Sequence, residues 1–164
     1  MNMAAANGKF PLWQIVKYGI AGLIATMIQT AVFYLLASTV MKCLAEDDIM
    51  VKLLGLPAAT FAAETPWFAT RGIYASIATA IGFAIANICC WLMNRAFVFG
   101  SGSRGKLAEF LMFFGVSAGA TLIALAIQTA CIDLFGMMTS YAVLIEIAVS
   151  FSINYLVRKF FIFR

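Results

Sequence analysis

Four long runs almost free of charge set the limits on this chain. Tyr18 to Met41, Gly72 to Met93 and Phe110 to Ile132 hold no acidic or basic residue, and Leu134 to Val157 holds one, Glu146. A bilayer core takes about 20 apolar residues of helix, and each run meets that length. Inside lipid every backbone N–H and C=O must be satisfied within its own segment, so each run reads as a helix rather than a strand. The chain is 64% hydrophobic and 11% charged, with mean hydropathy +0.99. Its 164 residues therefore make one membrane domain with no room for a separate catalytic unit. Spans are expected at 13–41, 72–98, 107–134 and 138–162.

Lysine and arginine orient the spans. Lys9, Lys17, Arg95, Arg104, Lys106, Arg158, Lys159 and Arg164 fall on one side of a four-span arrangement; Lys42, Lys52 and Arg71 fall on the other. The positive-inside rule then puts both termini and the middle loop in the cytoplasm. The first run is far longer than a signal-peptide core, so the first span is expected to be retained. Net charge +4 gathered on one membrane face does not suit nucleic acid. The chain has no histidine and no paired-cysteine ligand spacing, which argues against a metal site. Cys89 and Cys90 fall inside a span. Cys43 and Cys131 both fall near outer ends, and spacing alone does not pair them.

The spans form an internal repeat. Trp91-Leu92-Met93-Asn94-Arg95-Ala96-Phe97-Val98-Phe99 returns as Tyr155-Leu156-Val157-Arg158-Lys159-Phe160-Phe161-Ile162-Phe163, 64 positions later. Tyr18-Gly19 returns as Phe114-Gly115, 96 positions later, and Gln29-Thr30-Ala31 as Gln128-Thr129-Ala130. The first hairpin is thus longer by 32 residues, which places an extracytoplasmic insertion at about 42–71. Both hairpins run in, out, in, so they are parallel repeats related by an axis near the membrane normal. The fold expected is all-α: four transmembrane helices as two parallel-repeat hairpins, both termini cytoplasmic. The Gly100-Ser101-Gly102-Ser103-Arg104-Gly105 segment reads as a flexible linker between them. The turn at Phe135-Gly136 is short, which makes spans three and four antiparallel neighbours.

Four of the seven acids, Glu46, Asp47, Asp48 and Glu64, lie in the insertion. Asp47-Asp48 can cap a short amphipathic helix carrying Ile49, Met50, Leu53 and Leu54, with Pro57 ending it. An acidic run of this kind reads as a solvated face or a cap, with a sugar contact as the alternative. Pro66-Trp67-Phe68 reads as an interfacial aromatic anchor.

Three sets of side chains could carry chemistry. Glu146, Ser150, Asn154 and Arg158 recur at intervals of four, a slanting polar ladder because each step drifts by about 40°. Intramembrane acids face a bundle interior or a cavity. Glu146 is therefore either a bond to a neighbouring helix or a site on a polar track, including a proton- or cation-linked switch. Asn87, Cys90 and Asn94 share one face of the second span, with Ser76 and Thr79 further out. Helix glue and groove lining are both open for them. Gln29 and Gln128 are expected to bond between helices; Gly115 with Gly119, and Gly19 with Gly22, are expected to let helices approach closely. The third set is Arg95, Arg158 and Lys159 at headgroup level, flanked by Phe97, Phe99, Phe161 and Phe163. One such copy is ordinary anchoring, whereas two copies could converge on one phosphate.

Asn154 with Arg158-Lys159-Phe160-Phe161-Ile162-Phe163, the parallel copy ending in Asn94-Arg95, and the two aromatic-glycine starts resemble the GtrA family of small four-span membrane proteins. The first copy departs in having Cys90 where an amide is expected, with Asn87 one turn earlier. The resemblance covers nearly the whole chain apart from 42–71, and it implies translocation of a polyprenyl-phosphate-linked sugar for cell-surface polysaccharide synthesis or glycosylation. It also implies the inner membrane of a prokaryote and a membrane-associated glycosyltransferase as partner. Arg95, Arg158, Lys159 and Asn94 would then receive the lipid phosphate. Asn87, Cys90, Glu146, Ser150 and Asn154 would form the polar track. Four helices barely enclose such a path, so a homo-oligomer is expected. A small multidrug-type exporter and a non-transporting scaffold for a glycosyltransferase are the alternatives. An enzyme is not expected, nor is a cofactor.

Overall fold

The computed structural model describes residues 12–58, 69–99 and 106–157. It holds α1 (Leu12–Thr39), α2 (Ile49–Leu54), α3 (Arg71–Met93), a π-helical turn (Asn94–Phe99), α4 (Lys106–Asp133) and α5 (Thr139–Val157). No strand occurs among the described residues. Gly19–Thr39, Arg71–Phe97 and Phe113–Asp133 are long and apolar enough to cross a bilayer, and Thr139–Asn154 is a shorter apolar helix. The linker 100–105, the Pro66-Trp67-Phe68 anchor and everything after Val157 lie outside the described residues.

Contacts fix the direction of each helix. Lys17 Nζ, early in α1, donates to the carbonyl of Phe97 beyond the end of α3 at 3.2 Å. The start of α3 meets the end of α4, where Gly72 N donates to Asp133 at 2.9 Å. Late α1 meets early α5 through Tyr34 and Ser140 at 2.9 Å. Successive long helices therefore run antiparallel. One end of the bundle gathers the α1–α3 and α4–α5 connections; the other gathers Lys17, Arg95 and the start of α4.

The repeat is visible in how α1 and α4 stop. Cys43 N bonds back to Ala37 O at 3.0 Å, and Met137 N bonds back to Cys131 O at 3.1 Å. Both close seven residues, one more than the Schellman 6→1 bond, and each has the residue before the donor in the left-handed region. In α4 that residue is Gly136 (φ 63), but in α1 it is Lys42 (φ 47). Past Lys42 the chain turns into α2. Asp48, not the Asp47-Asp48 pair, caps α2: its side chain accepts from Met50 N at 3.0 Å. Left-handed Gly55 ends α2 two residues ahead of Pro57. Asp48 is also wholly buried, whereas Glu46 and Asp47 are exposed, so the acidic run is not one solvated face.

The apolar core sits at the connection end. Phe33, Ala37, Cys43 and Leu44 pack with Ala75 and Ala78 of α3, Ile132 of α4, and Ala142 and Val143 of α5. Small residues on α3 let its neighbours close in, and two glycines are required. A Cβ on Gly72 would meet the Asp133 carboxylate at 2.6 Å, and one on Gly82 would meet the Gln29 carbonyl oxygen at 2.9 Å. The four glycines expected at helix contacts do not play that part. Gly19, Gly22, Gly115 and Gly119 have nothing within 4 Å of a built Cβ. Each long helix is apolar nearly all round, so composition alone does not mark which glycine faces inward.

Candidate functional site: a polar interior between a basic rim and an apolar plug

At the connection end polar groups are well matched. Asp133 ends α4, where the helix dipole disfavours a carboxylate, but it turns to the start of α3 and accepts from Thr70 Oγ1 at 2.6 Å and from Gly72 N. Arg71 Nη2 donates to Met137 O at 2.8 Å. Asp48 accepts from Ser140 N at 2.9 Å and from Ser140 Oγ, so one carboxylate caps α2 and serves the first turn of α5. Thr139 Oγ1 donates to Cys43 O at 2.9 Å. Cys43 and Cys131 are free thiols, and burial pushes the Cys43 thiol up to about 12.

Polar pairs lie beside and below the apolar plug. Gln128 is fully buried and exchanges bonds with Thr79, at 3.1 and 3.2 Å. Ser76 Oγ lies 2.7 Å from Thr129 Oγ1. Both glutamines thus bond between helices as expected, Gln29 by donating from Nε2 to Glu146 Oε2 at 3.2 Å. Glu146 is 0% exposed, and its second oxygen, Oε1, has no hydrogen-bond partner.

Further toward the basic rim the buried polar atoms are less well satisfied. Asn87 is buried with Nδ2 unpartnered, and Asn94 is buried with Oδ1 unpartnered. Asn94 Nδ2 reaches Cys90 Sγ at 3.4 Å, which brings those two predicted residues together. Asn154 Oδ1 is likewise buried without a partner. Ser150 Oγ lies 3.3 Å from Thr121 Oγ1 of α4. The ladder on α5 faces two neighbours. Glu146 turns to α1 and Ser150 to α4, as a drift of about 40° per four residues dictates. Thr121 and Ser117 of α4, both buried, are interior polar residues absent from the expected set. Their signal was a pair of hydroxyls four positions apart in the apolar middle of the helix.

At the rim, Arg95 sits over the Trp91 ring, 5.6 Å from its centroid, and Trp91 meets Phe110 edge-on at 5.3 Å. Phe110 in turn lies against Phe114 at 5.6 Å. The rim cation is thus positioned by an aromatic row as well as by its place in the chain. Asn94 and Arg95 open the π-helical turn, whose wider winding interrupts the regular ladder where the motif begins. Arg158 and Lys159, the second expected cation pair, lie outside the described residues. No group of three or more metal-ligating side chains occurs among the described residues.

Unpartnered buried polar atoms occur at several levels of the bundle, and its two ends differ. One end is plugged by hydrocarbon and bridged by carboxylates; toward the other, buried amides lie beneath a basic, aromatic rim. A family model described as GtrA/DPMS, transmembrane domain matches residues 53–163. The match takes in α3, α4, α5 and the end of the insertion, while α1 lies before it. No curated protein and no solved structure matches the chain.

Proposed function

The chain belongs to the GtrA/DPMS transmembrane-domain family, and on that premise we propose that it carries a polyprenyl-phosphate-linked sugar across the membrane for surface polysaccharide synthesis or glycosylation. Both termini lie in the cytoplasm of a prokaryote, a membrane-associated glycosyltransferase supplies the lipid, and copies of the chain assemble to complete the path. Arg95, with Arg158, Lys159 and Asn94, receives the phosphate at the inner rim. Asn87, Cys90, Glu146, Ser150 and Asn154 offer the sugar hydrogen bonds on its way through.

One observation carries this reading: Glu146 Oε1, Asn87 Nδ2, Asn94 Oδ1 and Asn154 Oδ1 are buried with bonds unmade. Each such group costs about 1–3 kcal/mol. An anchor or a scaffold gains nothing from keeping four of them, whereas a sugar rich in hydroxyls can satisfy them as it passes. The cations stay at the rims: no lysine or arginine occurs in 18–41, 72–94, 107–157. Phosphate is therefore met at the membrane surface and hydroxyls within.

The test is the purified chain in liposomes containing a fluorescent short-chain polyprenyl-phosphate hexose, with a quencher added outside. Wild type exposes lipid from the inner leaflet, and Arg95→Gln with Arg158→Gln slows this by about tenfold or more while inserting normally. Wild type that moves no lipid, or a double variant as fast as wild type, would end the proposal.

A further inference from the structure

The two halves of the repeat make two seams of the same design. Ser76 of α3 and Ser140 of α5 are 64 positions apart, the spacing of the repeat, and each hydroxyl bonds across to the neighbouring helix. Ser76 meets Thr129 of α4, and Ser140 meets Tyr34 of α1. The paired glutamines do the same one layer deeper, Gln128 bonding Thr79 and Gln29 bonding Glu146. The α3–α4 seam and the α5–α1 seam are therefore internal copies.

They are not equally tight. The α3–α4 copy is closed with short partners, threonine at both levels, and these helices pack backbone to backbone, as do α1 with α3 and α4 with α5. The α5–α1 copy is bridged by tyrosine and glutamate rather than threonine, and α1 and α5 have no comparable backbone packing. Longer side chains reach across a wider gap. Glu146 also falls 64 positions after Gly82, so the repeat places an acid on α5 where α3 has the glycine that lets α1 close in.

Both seams carry a carboxylate bridge at the connection end, but that of the α3–α4 seam comes from α4 itself, Asp133 on Thr70 and Gly72, whereas that of the wide seam comes from outside its two helices. The insertion belongs to the first hairpin alone, and its Asp48 takes both the N–H and the hydroxyl of Ser140, while Cys43 O accepts from Thr139. The wide seam is closed by these hydrogen bonds and by the apolar plug that Phe33 and Ala37 share with Ala142 and Val143, and it has less packing to lose on parting than a seam of close helix contact along its length. Glu146, whose Oε1 is unpartnered, follows Ser140 by six residues on α5.

We propose that the α1–α5 seam is the side door through which the lipid's polar head passes between bilayer and bundle interior, clipped shut by Asp48 on Ser140, while the α3–α4 seam stays closed. This rests on the transport reading given above. The tail remains in the bilayer, so the head needs a lateral slot, and this is the seam whose polar bridges can exchange partners with a sugar.

Two cysteine pairs separate the seams in the full chain. Tyr34→Cys with Ser140→Cys is bridged by a short bis-methanethiosulfonate; Ser76→Cys with Thr129→Cys is oxidised directly. Wild type, with its four native cysteines, receives both treatments as control. Bridging the α1–α5 pair slows lipid movement by about tenfold, reversibly on reduction, and the α3–α4 bridge changes it by less than about twofold. Transport that survives the first bridge, or stops only with the second, overturns the door. A readout that needs no transport uses Gln29→Cys. Asp48→Asn speeds its labelling by a membrane-impermeant maleimide from the connection side; unchanged labelling overturns the clip. Wild-type vesicles that move no lipid defeat the transport reading, and the labelling arm still decides whether this seam opens.

Discussion

Replacing Glu146 separates a helix bond from a transport residue, because the two roles differ in size. Its one bond to the interior is from Gln29 at 3.2 Å. Interhelical polar bonds in membranes average about 0.6 kcal/mol, with a maximum near 1.7. An acid at the centre of a spanning helix costs about 2.5 to 3.5 kcal/mol on insertion. The bond therefore does not compensate for placing the acid there, and a helix serving only to pack would be better off without it. Glu146→Gln keeps the shape and can still bond Gln29, so bundle stability changes by no more than about 1 kcal/mol. Glu146→Leu loses the bond, gains apolar contact, and stays within a similar range. Lipid movement falls by about tenfold or more in Glu146→Leu, equivalent to at least about 1.4 kcal/mol on the barrier. Stability is read by unfolding in mixed micelles and movement in liposomes, scored per folded molecule. Loss of about 2 kcal/mol of stability together with unchanged movement per folded molecule would show that Glu146 only holds helices together.

Two further substitutions test the geometry. Gly82→Ala puts a methyl against the backbone carbonyl of Gln29, 2.9 Å away. It is expected to destabilise the bundle by about 1–3 kcal/mol, whereas Gly119→Ala, with open space around it, is neutral or slightly stabilising in the same micelle assay. Lys42 occupies the left-handed position at the end of α1 that Gly136 fills at the end of α4. Lys42→Gly is expected to stabilise by about 1 kcal/mol, and a loss of stability there would contradict the repeated closure.

Hydropathy made the long helices legible. The expected spans 13–41, 72–98 and 107–134 differ by at most two residues from α1, from α3 with its π-helical turn, and from α4. The fourth, 138–162, begins within one residue of α5 and runs past the described residues. Bonding of both glutamines was legible too, because an amide deep in an apolar run has few other outlets. Rotation about each helix axis was not. In water an apolar stripe marks the inward face, but lipid is as apolar as the core, so Gly82 and Gly119 look alike in the sequence and face opposite ways. Asp133 could not be assigned because its partners, Thr70 and Gly72, lie more than 60 residues away and on another helix. Asp48 read correctly as a cap, yet its second task at Ser140 depends on how the insertion folds back, which no local spacing encodes.

The proposed path needs an interior that is polar and reachable from the basic rim but sealed at the connection end. Single cysteines at Asn87, Asn154, Ala78 and Ala142 measure this directly, using a small water-soluble thiol reagent applied to each side of oriented vesicles. Asn87→Cys and Asn154→Cys should react from the Lys17 and Arg95 side and not from the other, while Ala78→Cys and Ala142→Cys, inside the apolar plug, stay unlabelled from both. Equal protection of all four positions from both sides would contradict the account, since it would make the buried amides part of a dry, closed bundle.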